Sequence, residues 1–167
     1  MAIRCAPWDR MYPACPNHQT GRTVPLETRG IVAQTGTFGY ELNPAKLTDE
    51  EKQTVKQQIE AFHRYENLIE GGDYYRLDEG EEDYTAWMVV SPEKDEALVS
   101  FVATHVRSNG AFPLVRLQGL EPETVYRRED TGETVTGAAL LQGISFGQMH
   151  GDYPAVQVRL KVMKNEE

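Results

Sequence analysis

The stretch Leu47–Gly72, LTDEEKQTVKQQIEAFHRYENLIEGG, limits what this chain can fold into more than any other part of it. Its spacing predicts one amphipathic helix over 48–70 with both ends marked. Thr48 precedes the helix and Glu51 follows three residues later, which is the capping-box pattern. Asp49, Glu50 and Glu51 fill the first turn, where the positive end of the helix dipole favours acids. Val55, Ile59, Phe62, Tyr65 and Ile69 recur at spacings of three and four and line one face, read as core packing rather than a partner-binding face. Gly71 and Gly72 end it, since glycine takes a left-handed cap at little cost. Before this helix the text reads as loops with one short helix and one strand; after it, as strands.

Composition bounds the alternatives. At 167 residues there is room for one domain, or one domain plus part of another. A net charge of -9 argues against a nucleic-acid partner, because phosphate binding needs a basic surface. No apolar run has the length to cross a bilayer. The opening MAIRCAPWDR lacks the apolar core of a signal peptide, so a cytoplasmic protein is expected. Cys5 and Cys15 make neither a disulfide framework nor a zinc pattern, and Cys15 with His18 lacks two further ligands at matching spacing. Free thiols, no metal and no cofactor are expected.

In chain order, residues 1–16, punctuated by Pro7, Pro13, Cys15 and Pro16, read as irregular. Residues 17–24, NHQTGRTV, are a polar loop in which Asn17, His18, Gln19, Thr20 and Arg22 surround one glycine. Such density can build a ligand site or brace a loop through side-chain-to-backbone bonds, and composition alone favours bracing. PLETRGIVAQT (25–35) predicts a short helix and TFGYEL (37–42) a short strand, with Gly36 and Gly39 permitting close backbone packing. Loop, helix, strand, helix is the beat of an α/β unit, but one strand cannot make a parallel sheet, so its partner should come from elsewhere. Between Glu66 and Asp83 eight acids face one arginine, a local balance of minus seven, read as solvated surface. From Tyr74 onward the period is two. Strands are predicted at 84–92, 96–106, 113–120, 124–129 and 155–163, the first two as a hairpin, with a helical turn or crossover within Thr136–Ile144. The domain boundary falls at Gly71–Gly72, and residues 73–167 predict an antiparallel β-sandwich.

No chemistry emerges from these residue patterns. Glycoside hydrolysis takes two facing carboxyl groups, yet the acids here sit on helix surfaces, in the acidic run or at turns. His18, His63, His105 and His150 are scattered, and no serine stands in a G-x-S-x-G turn. Neither a Walker loop nor G-x-G-x-x-G is present.

The wording of residues 15–76 is informative in another way. PNHQTGR (16–22), LETRG (26–30) and GTFGYEL (36–42) closely resemble the α-galactosidases of glycoside hydrolase family 36, the melibiase type. The likeness continues more loosely through YYRL (74–77), AWMVVS (86–91), LQGLEPETVYR (117–127) and the G-x-x-L pattern at Gly137–Leu140. The resemblance implies an α+β, mostly β chain: the last βα portion of a (β/α)8 barrel in 17–72, followed by the sandwich. PLETRGIVAQT would be the seventh barrel helix, TFGYEL the eighth strand and the helix from Thr48 the eighth helix. It implies hydrolysis of terminal α-D-galactosyl residues of the melibiose and raffinose class by a retaining route. Asn17, His18, Gln19 and Arg22 would lie on the substrate side, because barrel sites form from loops after strands, with Glu41, Leu42 and Asn43 closing the eighth strand on that side.

Departures from the family pattern matter equally. The family's nucleophile motif, K-W-D-x-N-R-like, and its acid/base motif, S-D-x-T-D-like, are absent; Trp8-Asp9 shares two letters with the first, but Arg10-Met11-Tyr12 breaks it. The M-G-A-H-V-S-like strand before PNHQTGR is missing too, with Met11-Tyr12-Pro13 in its place. No catalytic residue carries over, and a chain inactive alone is expected. The alternative is a carbohydrate-binding or oligomerisation module, with Trp87, Tyr84 or Tyr74 as platform, although strand aromatics usually face inward. An exposed apolar stripe on the long helix predicts self-association.

Overall fold

The structure, a computed structural model, describes residues 10–12, 23–36, 38–40, 43–107 and 112–163. It opens with an α/β unit. Strand β1 (Arg10–Tyr12) runs parallel to β2 (Phe38–Tyr40), Arg10 opposite Phe38 and Tyr12 opposite Tyr40, with helix α1 (Leu26–Ala33) between them in sequence. Two expectations are corrected here. The segment 1–16 is not wholly irregular, and the parallel partner of β2 comes from within this chain, at the position where the resemblance left a strand missing. Three residues without alternating apolarity carry no strand signal of their own; β1 is recruited by its neighbour's backbone.

A 3-10 turn at Pro44–Lys46 leads to helix α2 (Asp49–Gly71). The capping box forms as its residues require: Glu51 N donates to Thr48 Oγ1 at 3.2 Å, and Thr48 N donates to the Glu51 carboxylate at 2.8 Å. The buried line is offset from the predicted stripe. Gln58 and Leu68 are its buried members, Ile59 is 37% exposed, and Phe62 stacks on Phe38 at 4.9 Å. A polar residue takes the central place because α1 and β2 offer its amide partners that isoleucine could not use.

The end of α2 differs from the expected left-handed cap. Gly72 has φ -84° and ψ 165°, which is extended, and the chain passes directly into β3 (Asp73–Arg76). Glycine is needed there for space: a Cβ would lie 2.5 Å from Val89 Cγ1 and 2.6 Å from Leu68 O. Gly36 and Gly39, expected to allow close packing, have nothing within 4 Å of a Cβ position.

The rest is a six-stranded sheet in the order β3, β4 (Tyr84–Val90), β5 (Glu96–Ala103), β8 (Ala155–Val162), β6 (Val125–Arg128), β7 (Thr134–Thr136), antiparallel at every described pairing. The predicted hairpin is β4–β5, turned through Ser91, whose Oγ accepts from Asp95 N and Glu96 N at 3.0 Å. Both strands are buried on both faces, which explains their near-continuous apolar text. Ala86, Met88, Val90, Val99 and Phe101 point into the main core with Tyr126, Leu140 and Leu160. Val89 and Leu98 point the other way, under Leu68 of α2.

The predicted strand over 113–120 is not one. Only Val115 bridges, to Ile144, and Val115, Leu117 and Leu120 enter the core while Leu114 stays 59% exposed. Their spacing is not the alternation of a strand, and irregular chain lays the apolar residues on the sheet instead. The second layer among the described residues is therefore this segment with helix α3 (Gly137–Gln142), capped by Thr136 Oγ1, rather than a facing sheet. No helix among the described residues is long and apolar enough to cross a membrane.

Leu160 is fully buried at the centre of the main core, so Leu160→Ala should cost about 2–5 kcal/mol in chemical denaturation. Thr48→Ala removes one member of the capping box and should cost about 1 kcal/mol in the same measurement.

Candidate functional site

The predicted substrate-side residues Asn17, His18, Gln19 and Arg22 lie outside the described residues, as do Asp9, Cys5, Cys15, Glu41 and Leu42. What is described is the support around them. Asn43 Oδ1 accepts from Ala45 N at 3.0 Å and caps the 3-10 turn that leaves β2. Behind β2 sits a polar knot. Tyr40 donates its hydroxyl to Gln58 Oε1 at 2.9 Å, Gln58 Nε2 donates to Leu26 O at 2.9 Å, and Gln34 Nε2 donates to Gln58 O at 3.1 Å. Gly30 leaves the space for the Gln58 amide, which a methyl group there would overlap. The Gln58 amide, satisfied through both its oxygen and its nitrogen, holds α1, β2 and α2 in one arrangement, since each lost partner would cost about 1–3 kcal/mol, whereas Gln34 Oε1 is buried without a hydrogen-bond partner among the described residues. Thr28 Oγ1 donates to Tyr153 O at 2.6 Å and ties α1 to the loop before β8.

The aromatics offered by sequence as a sugar platform are spent elsewhere. Trp87 and Tyr84 are buried and Tyr74 packs with Leu68, Val89 and Leu98. Tyr84 stacks on Phe101 at 5.1 Å, and Phe101 meets Phe146 at 4.9 Å.

Sequence reasoning missed a cleft of about 1020 Å³ at this end of the core. Tyr84 and Phe101 line its inner part; Glu81, Asp83, His105 and Arg107 contribute polar groups, and Phe112 and Leu114 an apolar rim. Arg107 grips Asp83 with two contacts, Nε to Oδ2 at 2.7 Å and an Nη2–H donated to Oδ1 at 2.8 Å. The pairing holds the guanidinium pKa above its ordinary value, chiefly through the hydrogen bond. These residues come from separate stretches of chain, so no local motif announced them. The described residues contain no cluster of three or more His, Cys, Asp or Glu able to hold a metal ion.

The acidic run also needs correcting. It is not uniformly solvated, because Asp78 is 4% exposed. Arg76 Nε donates to its Oδ1 at 2.6 Å and Thr85 Oγ1 to its Oδ2 at 2.7 Å. Burial alone would raise the carboxyl pKa, but the bonds from Arg76 and Thr85 outweigh it and hold the pKa below the ordinary value.

Comparison with known proteins places these two halves. The melibiase profile matches residues 9–72 and the glycosyl hydrolase family 36 C-terminal domain matches residues 84–160. The chain belongs to glycoside hydrolase family 36. The join between the two matches is the α2–β3 passage and the acidic run. The chain is 48% identical over 153 residues to the bifunctional alpha-galactosidase/sucrose kinase AgaSK of Mediterraneibacter gnavus, covering 90% of this chain and 16% of that protein. To alpha-galactosidase AgaA of Geobacillus stearothermophilus it is 38% identical, covering 90% of this chain and 21% of that one. The solved galactosidase domain of AgaSK superposes with a TM-score of 0.88 at 46% identity over 92% of this chain and 22% of its own length. A variant of AgaA in complex with stachyose superposes with a TM-score of 0.87 at 37% identity, covering 92% of this chain and 21% of its own. This family 36 chain thus spans about a fifth of its relatives' length.

A carboxyl whose folded pKa is depressed stabilises the fold above its unfolded pKa and loses that contribution as pH falls through the folded value. Asp78 should therefore contribute to a drop in stability below about pH 4, with Asp130, held down by Arg128 against its own burial, acting alike. Asp78→Asn should lower stability at pH 7 and flatten that acid limb, read by denaturant midpoints between about pH 7 and pH 2.

Proposed function

We propose that this chain supplies the C-terminal share of a family 36 α-galactosidase and is inactive alone. The enzyme would hydrolyse terminal α-D-galactosyl residues of melibiose- and raffinose-class galactosides with retention, through a covalent galactosyl intermediate. The observation that carries this reading is the match to the AgaSK galactosidase domain, at 46% identity over 92% of the chain. In this reading β1–α1–β2–α2 is the closing part of a (β/α)8 barrel, and the antiparallel sheet with its irregular cover is the sandwich-type domain that follows it.

Two features support the barrel assignment. β1 and β2 are parallel, so the segments following them leave from one edge, the edge on which barrel enzymes build their sites. Phe38 and Tyr40 turn toward α2, whereas Gly39, on the opposite side, is open, a side that further strands would cover. The loop bearing Asn17, His18, Gln19 and Arg22 follows β1 and would serve substrate rather than carry the reacting carboxylates. Both catalytic aspartates would lie in sequence upstream of it.

Self-association belongs to the same proposal. Val32 on α1 and Ile59 on α2 are exposed apolar groups that a second surface would cover. A clean monomer in sedimentation would remove this part alone.

An aryl α-galactoside assay tests the main reading. The purified chain should show no turnover, and adding the AgaSK galactosidase domain truncated before the region matching Asp9 should restore it. His18→Ala or Arg22→Ala should then lower the restored rate by at least about tenfold, or about 1.4 kcal/mol. Robust turnover by the chain alone, abolished in Asp9→Asn, would overturn the proposal.

A further inference from the structure

The cleft beside β4 and β5 plays no part in the proposed hydrolytic role, and its chemistry has a direction. Three of the exposed large apolar side chains of the described residues, Val106, Phe112 and Leu114, stand on its wall, and Phe112 is 58% exposed. Around them the polar groups are organised rather than scattered. Asp83 is fixed by the paired contacts of Arg107, and its main-chain oxygen accepts from Thr104 N at 2.8 Å and His105 N at 3.0 Å. A carboxylate held in this way keeps unused lone pairs aimed in one direction, which favours a ligand that donates several hydrogen bonds.

We propose that this cleft binds a short neutral saccharide, with one sugar ring stacked on Phe112 and its hydroxyls bonded to Asp83, Arg107 and neighbouring polar groups.

Size, lining and charge each bear on that choice. A volume of about 1020 Å³ is at the upper end of small-ligand pockets and has room for a few linked hexose rings. A pyranose has an apolar C–H face and a polar hydroxyl edge, matching an aromatic rim set against ionised groups. A protein partner fits less well, because the cores of protein interfaces are depleted of carboxylates, while here Glu81 and Asp83 share the wall with Phe112. Two carboxylates against one guanidinium leave these groups net acidic, which disfavours phosphorylated or uronic ligands.

The site is independent of the hydrolytic reading, since binding here requires no turnover. Titration of the 167-residue chain with raffinose, followed by calorimetry and by amide NMR shifts, tests it directly. The expected result is saturable one-site binding with a Kd on the order of 1 mM and shifts centred on Asp83, His105 and Phe112. Phe112→Ala, at an exposed position, should keep the wild-type melting temperature and weaken binding at least about tenfold; Ile59→Ala should leave it unchanged. Galacturonate should bind at least about tenfold more weakly than galactose. Absence of saturation, shifts centred elsewhere, or full affinity in Phe112→Ala would each overturn the proposal. So would cleft shifts that follow protein concentration rather than sugar, which would mark the surface as a contact between copies.

Discussion

The fold depends on α2 serving two structures with one helix. Its first half is bound to α1 and β2 by the Gln58 amide, which Tyr40 and Leu26 O satisfy, and by Phe62 against Phe38. Its second half lies on the sheet through Leu68, Ile69 and Tyr65, over Val89 and Leu98. Arg159 of β8 lies under the Tyr65 ring at 5.6 Å while bonding Glu96 and Glu129 at 2.5 and 3.1 Å. An unbroken helix transmits the position of one half to the other, and the immediate turn into β3 leaves no slack between them. With Thr28 bonded to Tyr153 O, the α/β unit is seated on the sheet at a second point.

The sheet is asymmetric for a related reason. One face is covered by regular helix, whose side chains repeat and can seal it. The other is covered by irregular chain and by α3, where Tyr126 provides a brace: its hydroxyl donates to Lys94 O at 2.8 Å and accepts from Glu121 N at 3.1 Å. At the far end, beyond Tyr84 and Phe101, that cover does not close among the described residues, and the cleft lies there.

Family membership fits this division of labour. The half that matches the melibiase profile is held as a two-stranded parallel pair with two helices, too small to enclose a site among its described residues. The half that matches the family 36 C-terminal domain holds the larger core. The α/β unit is tied to that half through α2 and Thr28.

The sequence alone determined whatever depends on neighbours along the chain. The capped helix, the β4–β5 hairpin and the alternation in β8 could all be read from spacing, because caps, turns and sheet faces repeat over a few residues, while the wording of 16–42 carried the family resemblance. Tertiary structure decided what depends on distant partners. It made a strand of Arg10–Tyr12, placed Gln58 rather than Ile59 at the centre of the buried line and buried Asp78 within an acidic run. It also turned the expected strand 113–120 into irregular cover and assembled Asp83, Arg107 and Phe112 around one cleft. Apart from the short-range Arg76–Asp78 bond, the deciding contacts join residues whose proximity exists only after folding, and no periodicity in the chain records them.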